Sequence, residues 1–127
     1  MPDELRNVAA DFFAALDALD ADRMMEMLSG DVQSVDEISQ RWLRGRGDVD
    51  NYLREVVTAV TDVGTQLRDA EERIWGDTGV LTCWIDQDYT MNGTPQHISA
   101  PTTLILRRDG GAWKLVLWHS IPVPEQA

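Results

Sequence analysis

Apolar residues fall at Leu5, Val8, Ala9, Phe12, Phe13, Leu16 and Leu19. That spacing marks one face of a first helix. Asp3 and Glu4 stand at its start, where the helix dipole favours negative charge. A short second helix is expected from about Ala21 to Ser29, with Asp20 as N-cap and Gly30 as its stop. Met24, Met25 and Leu28 would face inward as adaptable core filling. Between Asp31 and Leu43 the helical period stops, and Val32, Ser34, Val35, Ile38, Trp42 and Leu43 suit short extended pieces around a loop. After Gly45 and Gly47, Asp48 caps a third helix with Val49, Tyr52, Leu53, Val56, Val57, Val60 and Val63 on one stripe.

The second half changes to a strand period. Residues 66–75 read as extended, and Gly76-Asp77-Thr78-Gly79 turns the chain. Residues 80–91 and 94–108 are strands joined by Asn92-Gly93, a hairpin signal because both residues tolerate positive φ. Asp109-Gly110-Gly111 turns into a last strand, 112–121, closed by Pro122 and Pro124. The order α-α-β-α followed by a four-strand antiparallel meander predicts an α+β fold with helices on one face of a curved sheet. In the last strand Trp113, Leu115, Leu117 and His119 alternate with Lys114, Val116, Trp118 and Ser120. Both faces are apolar, whereas the uncovered face of a single sheet should turn polar. The expected reason is a second subunit on the outer face, which would carry Val116 and Trp118.

The chain has 127 residues, 43% of them hydrophobic, which suits one globular domain spanning 1–127. No apolar run approaches the roughly 18 residues of a membrane span, and the first residues lack the basic and apolar regions of a secretory signal. A lone cysteine, Cys83, suits a reducing cytoplasm. With 22 acidic against 11 basic residues the net charge is −11, which repels phosphate backbones and anionic membranes. Neither nucleic acid nor membrane is an expected partner. Two distant histidines and one cysteine give no zinc spacing, so no metal is expected. Phosphate-binding glycine motifs and Gly-x-Ser-x-Gly are missing, and no cofactor is expected.

Several segments carry a family resemblance over about residues 5–121. They are Phe12-Phe13-Ala14-Ala15-Leu16-Asp17, Asp20, Leu28-Ser29-Gly30-Asp31-Val32, Gly45-Arg46-Gly47, and above all Arg107-Arg108-Asp109-Gly110-Gly111-Ala112-Trp113-Lys114-Leu115-Val116 running on to Trp118-His119-Ser120. The pattern resembles the nuclear transport factor 2-like superfamily, in its SnoaL-like and ketosteroid isomerase-like branch. The resemblance implies a cone-shaped, cystatin-like fold. Its curved antiparallel sheet packs against three helices, and an apolar pocket lies at the wide end. It also implies a homodimer through the outer sheet face. Since this fold hosts isomerases, cyclases, hydrolases, dehydratases and assembly modules, it does not fix a function. Two readings stand: a cofactor-free isomerase, cyclase or lyase on a hydrophobic small molecule, or a ligand-binding or assembly module with no chemistry.

Laid on the isomerase pattern without a gap from Asp11-Phe12-Phe13-Ala14-Ala15-Leu16 onward, Phe12 falls on the catalytic tyrosine and Asp36 on the base aspartate, while Ala100-Pro101-Thr102-Thr103 resembles the segment of the second acid and puts Thr103 there. Only the base aspartate keeps its identity, so little ketosteroid isomerisation is expected. Asp36 is either a pocket-mouth base or a solvent-facing loop carboxylate beside Glu37. His119, placed inward with Leu117, is either a proton shuttle or a buried structural histidine. Phe12, Leu16, Trp42, Tyr52, Val56, Trp84, Tyr89, Thr103 and Leu117 are the expected pocket walls. His97 is expected at the rim. Asp86 and Asp88 are either an acid–base pair, as in limonene-epoxide-hydrolase-like sites, or rim charges.

Overall fold

In a computed structural model, residues 3–123 of the chain are described; Met1, Pro2 and the segment from Pro124 onward, including the expected stop at Pro124, lie outside them. The elements run α1 (Glu4–Asp17), α2 (Ala21–Glu26), β1 (Leu28–Asp36), β2 (Leu43–Arg44), α3 (Gly45–Ala59), β3 (Val60–Trp75), β4 (Thr78–Met91), β5 (Thr94–Asp109) and β6 (Ala112–Ser120). Six strands form one sheet in the order β2-β1-β6-β5-β4-β3. The expected meander β3 to β6 is present, but β1 joins it parallel to β6, so the sheet is not wholly antiparallel. The helices cover one face, and the fold is α+β.

Helix α1 buries Leu5, Ala9, Phe12, Phe13 and Leu16, the expected stripe. Its first backbone N–H groups find an acceptor far along the chain. The Glu72 carboxylate of β3 accepts from Leu5 N at 3.0 Å and Arg6 N at 3.4 Å. A side chain from the sheet thus does the work that no local cap performs. Helix α1 also crowds β4, where a Cβ added to Gly79 would sit 2.6 Å from Leu5 Cδ1. Asp20 caps α2 as expected, accepting from Arg23 N at 3.1 Å.

Several element boundaries differ from expectation: α1 ends at Asp17, short of Leu19; α3 begins at Gly45, so Asp48 stands in its first turn rather than capping it; and β3 begins at Val60 and β4 at Thr78. Helix α2 ends at Glu26 rather than near Ser29, because Leu28 pairs with Leu115 and Met27 O accepts the Leu115 N–H at 2.9 Å. Ladder pairing with β6 overrides the weak helical tendency of three residues. Helix α3 stops at Ala59, and Val60 and Val63, expected on its stripe, belong to β3. Asn92 (φ 54°) and Gly93 (φ 76°) both lie in the left-handed region, as the hairpin requires.

The decisive irregularity lies in β6. Leu106 pairs with Leu115 but Ile105 pairs with Leu117, so Val116 is an extra residue, a β-bulge. Side chains alternate with period two, so one inserted residue exchanges the faces beyond it. Trp113 and Leu115 point inward before the bulge, and Trp118 and Ser120 point inward after it. The expected faces are therefore corrected: Leu117 and His119 lie outside, and Trp118 is in the core. There it meets Phe12 and Phe13 edge-on, with ring centres 5.3 and 5.7 Å away.

Candidate functional site

Strand β1 ends at Asp36, which is only 6% exposed. A carboxylate so buried must be hydrogen-bonded. The chain turns directly after it, and Asp36 Oδ1 accepts the N–H groups of Ile38 (3.1 Å) and Ser39 (2.8 Å). Ser39 Oγ returns the favour by accepting Asp36 N–H at 3.1 Å. Such an aspartate-centred turn needs a short carboxylate at this position. From α3 the Tyr52 hydroxyl reaches in, 2.6 Å from both oxygens. Burial first, and the Asp36 charge next, push the Tyr52 phenol up in pKa, so it keeps its proton and acts as a donor.

Glu37 differs from its neighbour in every respect. It is half-buried, and among the described residues its carboxyl has no side-chain hydrogen bond and no cationic partner, only its own backbone N–H, which lowers its pKa against the two larger causes. Burial, and then the charge of Asp36, raise it from 4.5 to about 7. Two adjacent carboxyls thus have divided roles: one is locked by three donors, and one is free to exchange a proton near neutrality.

Both face a cleft between α1, α3 and the inner sheet face. Its walls are Leu16, Ile38, Leu53, Val56, Val60, Val63 and Trp118, together with Tyr52, Gln87 and Tyr89. The cleft encloses about 380 Å³ out to its open mouth, of which about 20 Å³ admits the centre of a water molecule. Gln87 is tied down, its Nε2 donating to Thr65 Oγ1 at 2.9 Å, and Thr65 Oγ1 donating to Asp17 Oδ1 at 2.8 Å. Burial also raises the Tyr89 phenol. Among the described residues, no lysine, arginine or histidine lines the cleft.

Of the residues expected at the site, Asp36, Leu16, Tyr52, Val56 and Tyr89 meet in this cleft. Phe12 lies behind the wall, fully buried against Trp118. Trp84, Thr103 and His119 line a groove on the opposite sheet face with Pro101 and Ile121, and Leu117 shares that face. Trp42 is 43% exposed and stacks on His119 at 6.0 Å. The expected inward placing of Trp84, Thr103, Leu117 and His119 is corrected, and Asp36 and His119 do not share a pocket. Asp86 sits on the outer face between Arg68 Nε (2.8 Å) and Ser99 Oγ (2.6 Å). Asp88 pairs with exposed His97 at 2.7 Å. These are surface pairs, as the rim reading has it. Cys83 is buried, and burial pushes its thiol up to about 11.

Glu37, Gln87 and Trp118 are the polar wall residues that sequence reasoning did not select. Glu37 was legible as the neighbour of Asp36; Trp118 was hidden by the bulge. Among the described residues, no group of three His, Cys, Asp or Glu side chains could hold a metal ion. No helix there is long and apolar enough to cross a membrane.

The SnoaL-like domain family model matches residues 5–124. No curated protein matches the chain. Among solved structures, a candidate dehydratase of the NTF2-like family from Streptomyces avermitilis is 20% identical, covering 97% of this chain and 96% of its own, with a TM-score of 0.87. A candidate calcium/calmodulin dependent protein kinase II association domain from Xanthomonas campestris is 19% identical, with coverage of 97% and 88% and a TM-score of 0.85. A ketosteroid isomerase-like protein from Erwinia carotovora atroseptica is 12% identical, with coverage of 94% and 94% and a TM-score of 0.80. At these identities the likeness is one of fold.

Proposed function

The chain belongs to the SnoaL-like domain family, and from that premise we propose that it is a proton-transfer enzyme needing no cofactor. It would be an isomerase, cyclase or lyase acting on a small apolar molecule in the Asp36–Glu37 cleft. One observation carries this reading: an unpaired carboxyl in an apolar cleft, held beside a locked one. A structural carboxylate is paired with a cation or fully solvated, whereas Glu37 is half-buried with no cationic partner among the described residues. In its ionised form Glu37 takes a proton from the bound molecule, and the carboxylic acid so formed returns it. Delivery to another carbon completes an isomerisation; delivery to a departing oxygen completes an elimination. Asp36 and Tyr52 are positioning residues that hold the turn bearing Glu37.

The test is hydrogen exchange in heavy water with a panel of small uncharged carbon acids, followed by proton NMR. Wild type should exchange a hydrogen of at least one compound faster than buffer does. Glu37→Gln should slow it by ~10²–10⁴, the usual worth of a general acid or base. Exchange that is equal in the two proteins, or no faster than buffer across the panel, refutes the reading.

Assembly is supported by a separate observation. Trp84, Ile105 and Leu117 are only partly covered on the outer sheet face, beside exposed Trp42 and Ile121. A homodimer through this face would cover them. The cleft lies on the other side of the sheet, so a dimer leaves it open. An assembly module without chemistry is the reading left if the exchange test fails.

A further inference from the structure

The cleft is closed to anything larger than a water molecule, since about 20 Å³ of it admits the centre of one. A substrate of the kind proposed above must enter through a part of the wall that moves. Burial shows which part. All the wall residues are buried except Glu37, Ile38 and Val63, which are partly exposed and so form the mouth. Val63 belongs to β3, whereas Glu37 and Ile38 are the wall residues outside every helix and strand. They lie on a turn, residues 37–41, between β1 and β2. Its hydrogen bonds run to Asp36 or within itself. Ile38 N and Ser39 N donate to Asp36 Oδ1, and Gln40 N donates to Asp36 O at 3.0 Å. Gln40 Nε2 donates to Glu37 O at 3.0 Å, and Ser39 Oγ to Arg41 O at 3.2 Å. Among the described residues no hydrogen bond ties the turn to a helix or to a strand other than β1. The side chain that holds it down on the cleft is Ile38, which packs against the core.

We propose that residues 37–41 are a lid on this cleft, pivoting at Asp36 and at buried Leu43, and that the charge on Glu37 sets how readily it opens. A segment bonded to itself and to one hinge residue swings without breaking its own hydrogen bonds, so opening costs chiefly the apolar contact of Ile38. Closure takes Glu37 out of water and beside Asp36, which raises its carboxyl to about 7. Opening hydrates the carboxyl and lets it fall back toward 4.5. The closed lid therefore holds the proton more tightly than the open one. Opening grows easier from pH 4.5 upward and levels off above about 7, by ~10² overall. The titratable groups around Glu37 are Asp36 on β1, Tyr52 on α3 and Tyr89 on β4. Burial raises both phenols, which stay neutral throughout this range. The wall residues of α1, β3 and β6 are Leu16, Val60, Val63 and Trp118, which carry no charge. The proposal rests on the cleft reading above but not on catalysis, so the free protein tests it.

Methyl relaxation dispersion detects opening on the microsecond-to-millisecond scale and is read at pH 5, 6, 7 and 8. The Ile38 methyl should exchange with a minor open state whose population grows at least about tenfold from pH 5 to pH 8. Leu104 and Leu106, fully buried in the core, should stay quiet. Glu37→Gln should keep the exchange and lose its pH dependence. Ile38→Ala, which trims the contact that holds the lid down, should raise the open population seen at the Val63 methyl about fivefold. An Ile38 methyl that is silent at every pH overturns the lid. Exchange with an unchanged pH dependence in Glu37→Gln overturns its control by that carboxyl. Either result leaves the proton-transfer reading standing on its own test. If instead Ile38 opens as described and no carbon acid exchanges faster than in buffer, the lid stands and the proton-transfer reading falls.

Discussion

Glu37→Gln should make the protein more stable at pH 8 and leave it nearly unchanged at pH 4.5. The carboxyl is raised from 4.5 to about 7 in the folded state, mainly because burial penalises its charge. The folded protein therefore holds this proton more tightly than the unfolded chain does. Stability from Glu37 is fully present below pH 4.5 and is lost as pH rises through about 7. A rise of that size is worth about 3 kcal/mol at most, since each pKa unit equals about 1.4 kcal/mol. Partial exposure lowers the figure, so about 2 kcal/mol is a fair expectation. Glutamine has nearly the same shape and no charge to bury, so the variant escapes the loss. Urea unfolding of both proteins at pH 4.5, 6 and 8 isolates the effect, because every other titrating group is common to the pair. The difference should grow with pH and approach its limit near pH 8. In a chain of this length it corresponds to a rise in midpoint temperature of about 5–10 °C. Parallel stability curves across this pH range would refute the claim that Glu37 is held protonated by its surroundings, and would remove the basis for its catalytic role.

Tyr52→Phe removes the hydroxyl that lies 2.6 Å from both oxygens of buried Asp36. It should cost about 2 kcal/mol in urea unfolding at neutral pH, the worth of a hydrogen bond to a charged group; a cost under ~0.5 kcal/mol would show that water replaces it freely. Light scattering at micromolar concentration should give twice the chain mass for wild type, and Trp84→Glu combined with Leu117→Glu should halve it by placing charge on the outer face. A folded wild-type monomer would end the dimer proposal. A 5-ene-3-ketosteroid should be isomerised no faster than about a hundredth of an efficient isomerase's rate, because Phe12 and Thr103 offer no donor to the cleft. Turnover approaching the efficient rate would contradict this. His119→Ala should leave hydrogen exchange of the carbon acids within twofold of wild type, and a larger loss would mean that the sheet faces have been misread.

The helical stripe of α1, the Asp20 cap and the Asn92-Gly93 hairpin were legible because each is written in neighbouring residues. Asp36 was legible only through family resemblance, and its partners came from elsewhere: Tyr52 is sixteen residues away on a helix face that reads as ordinary core. The half of the site on β6 was not legible. Strict alternation places Leu115, Leu117 and His119 together, and nothing in Leu115-Val116-Leu117 marks the middle residue as extra, since all three are apolar. The bulge comes from pairing. Leu106 and Ile105 must meet Leu115 and Leu117, and β1 must meet the far half of β6 from Leu117 onward.

That single inserted residue changes the chemistry of the cleft as well as its shape. With unbroken alternation the inward residue at the end of β6 would be His119, whose imidazole both donates and accepts hydrogen bonds. With the bulge it is Trp118, which donates but does not titrate. Proton exchange in the cleft then falls to a carboxyl, and an isolated solvated glutamate would be too acidic to hold a proton at pH 7. The structure supplies what is missing on the opposite wall. Asp36 is fixed in place by Tyr52 and two backbone N–H groups, and Glu37, half-buried beside that charge with no cationic partner among the described residues, rises to about 7. The tryptophan that displaces a histidine and the glutamate that acquires a histidine-like proton affinity are therefore two sides of one arrangement. A variant with Val116 deleted would test their connection: if it folds with restored alternation, His119 should enter the cleft and its ring protons should show nuclear Overhauser contacts to Leu16 and Val56. A deletion variant that keeps Trp118 inward by shifting the bulge would show that packing of Trp118 against Phe12 and Phe13, rather than the count of residues, sets the register.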